Sequence, residues 1–222
     1  MESSKAAVNH LKNLIKENTH ILDVGCGPGH YLRSLRKKVS VPFRYTGVDV
    51  NPLYVELAKK AFKDHKDVTF QVADIYNLPF EHNSIDIVMC CNVFLHLPSL
   101  KKPIEELCRV AKDFILLRTL IGNRSFRIME VHEQENGDEF NLDGSPKSYN
   151  FFNIYRKNYI LNILSKIGIR NVEFVEDKDF KPEKIEAAAG EHAEGISVTR
   201  MIGNWQVNTY ILEPWVFIKI IK

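Results

Sequence analysis

Residues 21–30, ILDVGCGPGH, place three glycines at alternate positions directly after a short apolar run. The apolar run predicts a buried strand, and the residues after Gly29 have the apolar spacing of a helix. A chain that turns tightly from strand into helix needs residues without a Cβ, which reach positive φ and let a ligand approach the backbone. The first amides of such a helix can bind a carboxylate or a phosphate. We therefore expect Gly25, Gly27 and Gly29 to form a ligand-binding turn.

Strand-like and helix-like segments alternate along the chain. Strands are predicted over 19–25, 44–50, 68–74, 84–94, 113–120, 171–177 and 210–221, and helices over 29–39, 53–65, 99–111 and 154–167. This alternation is typical of parallel strands joined by helical crossovers. The nearly continuous apolar fourth strand suits a sheet that is covered on both faces. We predict an α/β fold with a doubly wound sheet of seven strands and no internal repeat.

The length of the chain fits one folding unit. It has 222 residues, of which 45% are hydrophobic, which is enough to bury a sizeable core. We expect a single domain over residues 1–222, with an amphipathic N-terminal helix over 1–18. Two polar stretches, 122–150 and 178–209, are predicted insertions.

Charge and apolar patterning bear on partners and location. The formal net charge of +2 supplies no broad electrostatic footprint for nucleic acid or an anionic membrane. The longest apolar region, 85–97, is too short to span a bilayer, and residues 1–18 lack the apolar stretch of a signal peptide. The four cysteines form no C-x-x-C pair. We expect a cytoplasmic protein with reduced thiols that binds a small molecule, and neither nucleic acid nor a membrane.

Further motifs follow the glycine turn at regular intervals. Asp49 ends the second predicted strand in GVDVNP, Asp74 ends the third in VADIYNLPF, and DIVMCCNVFLHL forms the fourth strand and its loop. The turn has G-x-G-x-G spacing, unlike the dinucleotide fingerprint G-x-G-x-x-G. With these motifs, residues 18–120 resemble the class I S-adenosylmethionine-dependent methyltransferases. The resemblance implies S-adenosylmethionine as cofactor and a Rossmann-like sheet of order 3-2-1-4-5-7-6 with strand 7 antiparallel.

The resemblance also implies contacts to the adenosine end of the cofactor. Asp49 would accept hydrogen bonds from the two ribose hydroxyls, and Val50 would lie against the adenine. Asp74 would accept from the adenine amino group, while the amide of Ile75 would donate to a ring nitrogen. A capping aspartate at a strand end is the structural alternative for Asp49, and a solvated aspartate in a turn is the alternative for Asp74.

A second set of residues is implied at the methionine end. Asp23 lies within reach of the methionine ammonium, with a capping role as the alternative. Cys91 and Asn92, at the open end of the fourth predicted strand, should line the methionine side or simply pack. His30 and Tyr31 open the helix after the glycine turn, and one of them is expected to contact the methionine carboxylate.

The end of the fourth predicted strand and the loop after it limit the classes of acceptor. They read CCNVFLHLP, without the N-P-P-Y motif that binds planar amides and exocyclic amines and without a Pro-Cys nucleophile for pyrimidines. Asn92 stands there without the carboxylates of a metal-dependent catechol-type enzyme, so we expect no metal. No basic cluster with interleaved aromatic residues is present. A small-molecule acceptor is therefore predicted.

Histidine is the side chain whose ordinary pKa suits a general base near neutral pH. A hydroxyl acceptor profits from such a base, whereas a neutral amine needs little beyond placement in line with the sulfonium. His96, His132 and His192 are candidate bases, and His96 is also a candidate cofactor contact; each can instead be a bystander. We predict O-methylation, with a sugar or a related metabolite as one acceptor class, and N-methylation of a small amine as the alternative.

The two insertions are expected to close over the acceptor as a lid, because methyl transfer requires that water be kept out. Tyr149, Phe151, Phe152 and Trp205 are candidate wall residues, with core packing as the alternative. For the acidic first insertion, a solvated loop is the alternative.

Two functions of other classes share parts of this pattern. An NAD(P)-dependent oxidoreductase would keep the first strand and Asp49, but it needs the wider glycine spacing and a catalytic pair such as Tyr-x-x-x-Lys, which YRKNY does not supply. A non-catalytic S-adenosylmethionine-binding partner subunit would be expected to lose the glycine motif or Asp49, and both are present.

Overall fold

The computed structural model of the protein describes residues 2–132, 139–178, 200–202, 205–208, 211–213 and 215–222. The helices are α1 (Glu2–Leu11), α2 (His30–Lys38), α3 (Pro52–Ala61), α4 (Lys101–Val110) and α5 (Lys157–Lys166), and a 3-10 helix spans Phe94–His96. The strands are β1 (His20–Val24), β2 (Arg44–Asp49), β3 (Val68–Val72), β4 (Ile85–Cys91), β5 (Ala111–Gly122), β6 (Met129–Val131), β7 (Tyr149–Phe151), β8 (Tyr155–Arg156), β9 (Val172–Glu176), β10 (Arg200–Ile202), β11 (Trp205–Asn208), β12 (Ile211–Glu213) and β13 (Trp215–Ile221). Among these described residues, no helix is long and apolar enough to cross a membrane.

The main sheet has the strand order β3-β2-β1-β4-β5-β13-β9, and β8 pairs with the end of β5 beside this path. Strands β1 to β5 pair in parallel, whereas β13 runs antiparallel to both β5 and β9. The predicted α/β fold, with its strand order and its antiparallel last strand, is confirmed. The order reverses between β1 and β4, and in such sheets ligands bind outside the carboxyl ends of the strands at this point.

Apolar residues follow one another along the central strands, so both faces of the sheet are buried. In β4, Val88 and Cys90 belong to a hydrophobic cluster that includes residues of α4 and α5. Ile87, Met89 and Cys91, which alternate with them, belong to a second cluster that includes residues of α1 and α2. Successive side chains of a strand point to opposite faces. Helices therefore cover both faces, as the apolar fourth strand predicted.

Three helices begin or end at least three residues from their predicted bounds, among them α3, which ends at Ala61 and not at residue 65. The N-terminal helix ends at Leu11 and not at residue 18, because the amide of Leu14 bonds to the Leu11 carbonyl oxygen in a tighter turn and Asn18 has a left-handed φ of 65°. Helix α5 begins at Lys157 and not at Ile154. Ile154 is buried in an extended bridge, in which it exchanges two backbone hydrogen bonds with Phe126.

Two predicted strands, 84–94 and 210–221, differ from the observed bounds by three residues or more at one end. Strand β4 ends at Cys91, short of residue 94, because Asn92 has a left-handed φ of 64° that breaks the extended chain. The segment 210–221, predicted as one strand, contains β12, which pairs with β11, and β13, which pairs with β5 and β9. Pro214, which has no N–H to donate to a ladder, stands between them in the sequence.

The first predicted insertion contains a two-stranded hairpin, which we call the arm and define as residues 126–132 and 139–154. Strands β6 and β7 pair antiparallel in the arm, with Met129 opposite Phe151 and Val131 opposite Tyr149. Of the second predicted insertion, 178–209, the structure describes Lys178 and the backbone of β10 and β11, which pair antiparallel.

Candidate functional site

A cavity of about 570 Å³ lies at the carboxyl ends of β1, β2 and β4, where the strand order reverses. This volume is within the range of sites that hold small molecules and cofactors. The cavity is lined by Val24, Gly25, Cys26, Gly27, His30, Tyr31, Asp49, Val50, Tyr54, Ala73, Asp74, Ile75, Tyr76, Cys91, Asn92, Val93, His96 and Leu97. All cofactor residues predicted from the sequence line it, except Asp23 and Gly29. The motifs are therefore brought together at one place.

The glycine turn forms one wall of this cavity. Gly25, Gly27 and Gly29 have φ values of 78°, 50° and 87°, a region that residues with a Cβ rarely adopt. A Cβ on Gly25 would also overlap the side chain of Val93, and one on Gly29 would come within 2.5 Å of the Phe62 ring. A Cβ on Gly27 would meet no protein atom within 4 Å, so its positive φ is what favours glycine there.

Helix α2 begins directly behind the turn and offers unpaired amides. Its N-cap residue is Gly29, which has no side chain to bond them. The first amides of a helix lack partners within the helix and favour an anionic group. Since His30 and Tyr31 both line the cavity, this helix end is suited to a carboxylate such as that of methionine.

Asp49 connects the glycine turn to the start of α3. One oxygen, Oδ2, accepts a hydrogen bond of 2.9 Å from the amide of Gly27, and Oδ1 accepts one of 2.9 Å from the amide of Asn51. A carboxylate has about four lone-pair sites, so both oxygens can still accept from a ligand hydroxyl. The residue therefore shapes the turn and offers the acceptors that a ribose needs.

The opposite end of the cavity has apolar walls next to polar backbone and side-chain groups. Val50 is 70% exposed and Tyr54 is 44% exposed, although both are large apolar side chains, while Ile75 is buried. Asp74 uses Oδ1 to accept from the amide of Tyr76, as an aspartate in a turn does. Among the described residues, neither Asp74 Oδ2 nor the Ile75 amide has a hydrogen-bond partner. This end of the cavity could therefore hold an adenine ring, with the apolar side chains against its faces and Asp74 Oδ2 and the Ile75 amide at its polar edge.

Asp23 lies beneath the turn and is fully buried. Its Oδ2 accepts a hydrogen bond of 2.6 Å from the Tyr45 hydroxyl, whereas its Oδ1 has no partner among the described residues. Burial raises the pKa of Asp23 to about 7, against the hydrogen bond from Tyr45, and the charge of Asp49 adds to the rise. A buried carboxylate oxygen without a partner is costly, and a cation bound in the cavity would relieve that cost.

A buried polar network extends to the cavity from Arg118 on β5 and from Asp177, which follows β9. Arg118 is 2% exposed and makes an ion pair with Asp177, with Nη2 at 2.7 Å from Oδ2. Its Nη1 donates a bond of 2.6 Å to Oδ1 of Asn92, whose Nδ2 in turn lies 3.3 Å from the Tyr31 hydroxyl. The guanidinium also lies 4.1 Å from the centroid of the Trp215 ring. This network holds two cavity residues, Asn92 and Tyr31, in place.

His96 lines the cavity from the 3-10 helix that follows β4. Its Nδ1 lies 3.0 Å from the carbonyl oxygen of Phe151 on the arm. A carbonyl oxygen can only accept, so the proton of the neutral imidazole must be on Nδ1. No described residue bonds to Nε2. The ring therefore presents an unprotonated nitrogen, as a general base requires.

Of the other predicted catalytic and wall residues, those whose side chains the structure describes do not line this cavity. His132 lies on the arm, with Nδ1 at 3.0 Å from Ser148 Oγ and Nε2 at 2.9 Å from Asn150 Nδ2, so both ring nitrogens are engaged. His192 lies outside the described residues. Tyr149, Phe151 and Phe152 lie on the arm but not on the cavity lining, and of Trp205 only the backbone is described.

Several cavity residues were not predicted as site residues: Val24, Cys26, Tyr54, Ala73, Tyr76, Val93 and Leu97. Tyr54 could have been found, because an aromatic residue in the first turn of the helix after Asp49 must lie near the same strand end. The remainder are apolar or aromatic neighbours of predicted residues and carry no separate signal. In the part of the chain that the structure describes, no three His, Cys, Asp or Glu side chains form a group that could hold a metal ion.

Part of the chain is similar in sequence to known methyltransferases. Residues 21–113 match the family model of a methyltransferase domain. The chain is 33% identical over 98 residues to a demethylmenaquinone methyltransferase of Staphylococcus saprophyticus subsp. saprophyticus, covering 44% of this chain and 42% of that protein. It is 29% identical over 109 residues to a ubiquinone biosynthesis O-methyltransferase of Coxiella burnetii, covering 49% and 45%. The chain thus spans less than half the length of these curated relatives.

A solved structure supports the same fold over nearly the whole chain. The phosphoethanolamine N-methyltransferase 2 of Haemonchus contortus, in complex with S-adenosyl-L-methionine, superposes with a TM-score of 0.61 at 17% identity. The alignment covers 99% of this chain and 52% of that one. Together with the family match, this likeness confirms the predicted fold family.

Proposed function

Because residues 21–113 match a methyltransferase domain and line most of the cavity, we propose that this protein transfers a methyl group from S-adenosylmethionine to a hydroxyl of a small molecule. Three groups in and beneath the cavity support this cofactor. The first amides of α2 suit its carboxylate and the carboxylate of Asp49 suits its ribose, while Oδ1 of Asp23, which is buried beneath the turn without a partner among the described residues, suits its ammonium.

The hydrogen bond from His96 to the carbonyl of Phe151 is the observation that carries O-methylation. Bound in the cavity, S-adenosylmethionine supplies a methyl group on a sulfonium, an electrophile that needs no further activation. A hydroxyl keeps its proton at neutral pH, and Nε2 of His96 would take up that proton as the oxygen attacks. A general base contributes about 10²- to 10⁴-fold in rate.

The arm supports the proposal that the first insertion covers the acceptor. Phe151 belongs to the arm and Leu97 to the cavity lining, and Asn153 of the arm donates a bond of 2.8 Å to the Leu97 carbonyl oxygen. The arm is therefore attached at the mouth of the cavity, next to the candidate base. We propose that it forms one part of a lid, with residues 178–209 as the other part.

The proposed acceptor class and location rest on further observations. The formal net charge of only +2 favours a small-molecule acceptor over nucleic acid. Cys26, Cys90, Cys91 and Cys108 are all buried free thiols, which is consistent with the reducing cytoplasm. Methyl transfer should need no metal, because the proton goes to a histidine and the electrophile is already activated.

A survey of acceptors tests the proposal. Transfer of a labelled methyl group from S-adenosylmethionine should be faster to a metabolite extract than to total RNA, DNA or protein, and hydroxylated fractions should be labelled before amine fractions. Preferential labelling of a macromolecule would contradict the small-molecule acceptor. Labelling confined to amines would favour the alternative of N-methylation.

Once an acceptor is known, three histidine variants test the candidate base. His96→Ala should lose at least about 10²-fold in turnover, in line with the loss of a general base. His132→Ala is the matched control, since both its ring nitrogens bond within the arm, and His192→Ala covers the remaining candidate. If all three variants lose less than about tenfold, placement alone carries the reaction.

A further inference from the structure

Asn153 is a fully buried asparagine at the base of the arm. Its amide donates a hydrogen bond of 2.8 Å to the carbonyl oxygen of Leu95, and its Nδ2 donates one of 2.8 Å to the carbonyl oxygen of Leu97. These two carbonyls are the immediate neighbours of His96 in the chain. The backbone and the side chain of this asparagine therefore hold the chain on both sides of the candidate base, and the Tyr155 hydroxyl adds a bond of 3.0 Å to the Leu97 carbonyl oxygen.

The same residue also fixes the other strand of the arm. Its Oδ1 accepts a hydrogen bond of 3.3 Å from the amide of Ile128, and the amide of Phe152 bonds to the Ile128 carbonyl oxygen at 2.9 Å. Farther out, Met129 and Tyr149 are 43% and 42% exposed. Since little apolar burial holds the outer arm, the buried bonds at Asn153 set where the arm lies.

The carbonyl oxygen of Phe151, two residues before Asn153, accepts a hydrogen bond from the Nδ1–H group of His96. The tautomer of a histidine is set by the hydrogen bond that its other nitrogen makes. A displacement of Phe151 relative to residues 95–97 would break this bond, and a histidine side chain in water prefers to carry its proton on Nε2. In that form, Nε2 could no longer accept a proton from a hydroxyl.

We propose that Asn153 is a positioning residue that holds His96 in the Nδ1–H tautomer, by fixing the Phe151 carbonyl against its ring. This inference rests on the proposed function, because it concerns the same imidazole that is assigned there as the candidate base. Asn153 itself does not line the cavity, and among the described residues its bond to Leu97 joins it to the lining.

Nitrogen NMR tests this inference without any acceptor. Protein labelled with ¹⁵N-histidine is measured at about pH 9, where imidazole is neutral, and long-range ¹H–¹⁵N correlations show which ring nitrogen carries the proton. His96→Gln assigns the signal. The wild-type protein should show His96 as the Nδ1–H tautomer, and Asn153→Ala should move it toward the Nε2–H tautomer.

Two further variants make the test decisive. Asn153→Ser keeps a smaller polar side chain and replaces Asn153→Ala if that variant does not fold. Asn150→Ala is the matched control, because Asn150 is an exposed asparagine of the same arm whose side chain contacts His132 and not His96. Thermal unfolding and binding of S-adenosylhomocysteine confirm that each variant is folded.

Each outcome decides a different point. A wild-type His96 in the Nε2–H form would overturn the inference, and so would a folded Asn153 variant that keeps the wild-type tautomer. A shift in the Asn150→Ala control would also overturn it, because any disturbance of the arm would then suffice. A wild-type protein with the Nδ1–H form that methylates no hydroxyl would contradict the proposed function and leave the inference intact.

Discussion

The hydroxyl of Tyr45 donates a hydrogen bond of 2.6 Å to Oδ2 of Asp23, while Oδ1 of the same carboxylate has no partner among the described residues. Both side chains are almost completely buried, Tyr45 at 1% exposure and Asp23 at 0%. Burial raises the pKa of Asp23 from 3.8 to about 7. Between these two values the folded protein keeps a proton that the unfolded chain has lost.

The free energy of unfolding should therefore fall as the pH rises from about 4 to 7, by at most about 4 kcal/mol from this group. Asp23→Asn removes the titration, so urea denaturation should show a smaller decrease for the variant over this pH range. The difference between the two proteins isolates Asp23 from the other titrating groups. Parallel pH profiles would contradict the raised pKa.

Asp49 should control the affinity for S-adenosylmethionine. Asp49→Ala removes a charged acceptor for the ribose hydroxyls and frees the amide of Gly27 that it holds, and hydrogen bonds to charged groups contribute about 1.5–3 kcal/mol. Binding measured by calorimetry should weaken at least about tenfold. Asp67→Ala is the control, since Asp67 pairs with Arg36 away from the cavity. Equal affinities of the two variants would contradict the assigned role.

The buried pair of Arg118 and Asp177 should stabilise the fold far more than an exposed pair. Asp177→Ala leaves a buried guanidinium without its partner, which costs about 3–5 kcal/mol. Glu173→Ala, on the strand that precedes Asp177, is the control, because Glu173 is 61% exposed where it meets Lys219, and such pairs contribute about 0–1 kcal/mol. Chemical denaturation measures both. Similar losses in the two variants would contradict the account of this network.

Shortening the arm should separate cofactor binding from transfer. Val131 and Tyr149 are paired opposite each other, so an Asn-Gly turn can join them in place of residues 132–148. The shortened protein should bind S-adenosylmethionine with unchanged affinity but lose transfer, because the acceptor is no longer shielded from water. Unchanged turnover would contradict the proposal that the first insertion is part of the lid.

Local patterns were sufficient to predict much of the fold and most of the cavity. The turn at Gly25, Gly27 and Gly29 and the strand ends at Asp49 and Asp74 depend on residues adjacent in sequence. Parallel topology then brings these strand ends to one edge of the sheet. The resemblance supplied the strand order, which periodicity alone does not determine.

Other features depend on contacts between distant segments and could not be read from a pattern. Ile154 has helical spacing, but its pairing with Phe126 across the arm keeps it extended. The partners Arg118 and Asp177 are 59 residues apart, and a charge inside an apolar strand was the one signal of their burial. The sequence around Asn153 shows only a polar residue before a predicted helix. Of its four bonding partners, three lie at least 25 residues away in the chain and the fourth is the hydroxyl of Tyr155.

The central claim is that the cavity holds S-adenosylmethionine, and calorimetric titration of the wild-type protein tests it most directly. S-adenosylmethionine and S-adenosylhomocysteine should each bind at one site per chain, and NADH should not bind. Binding of NADH, with no binding of S-adenosylmethionine or of S-adenosylhomocysteine, would contradict the account.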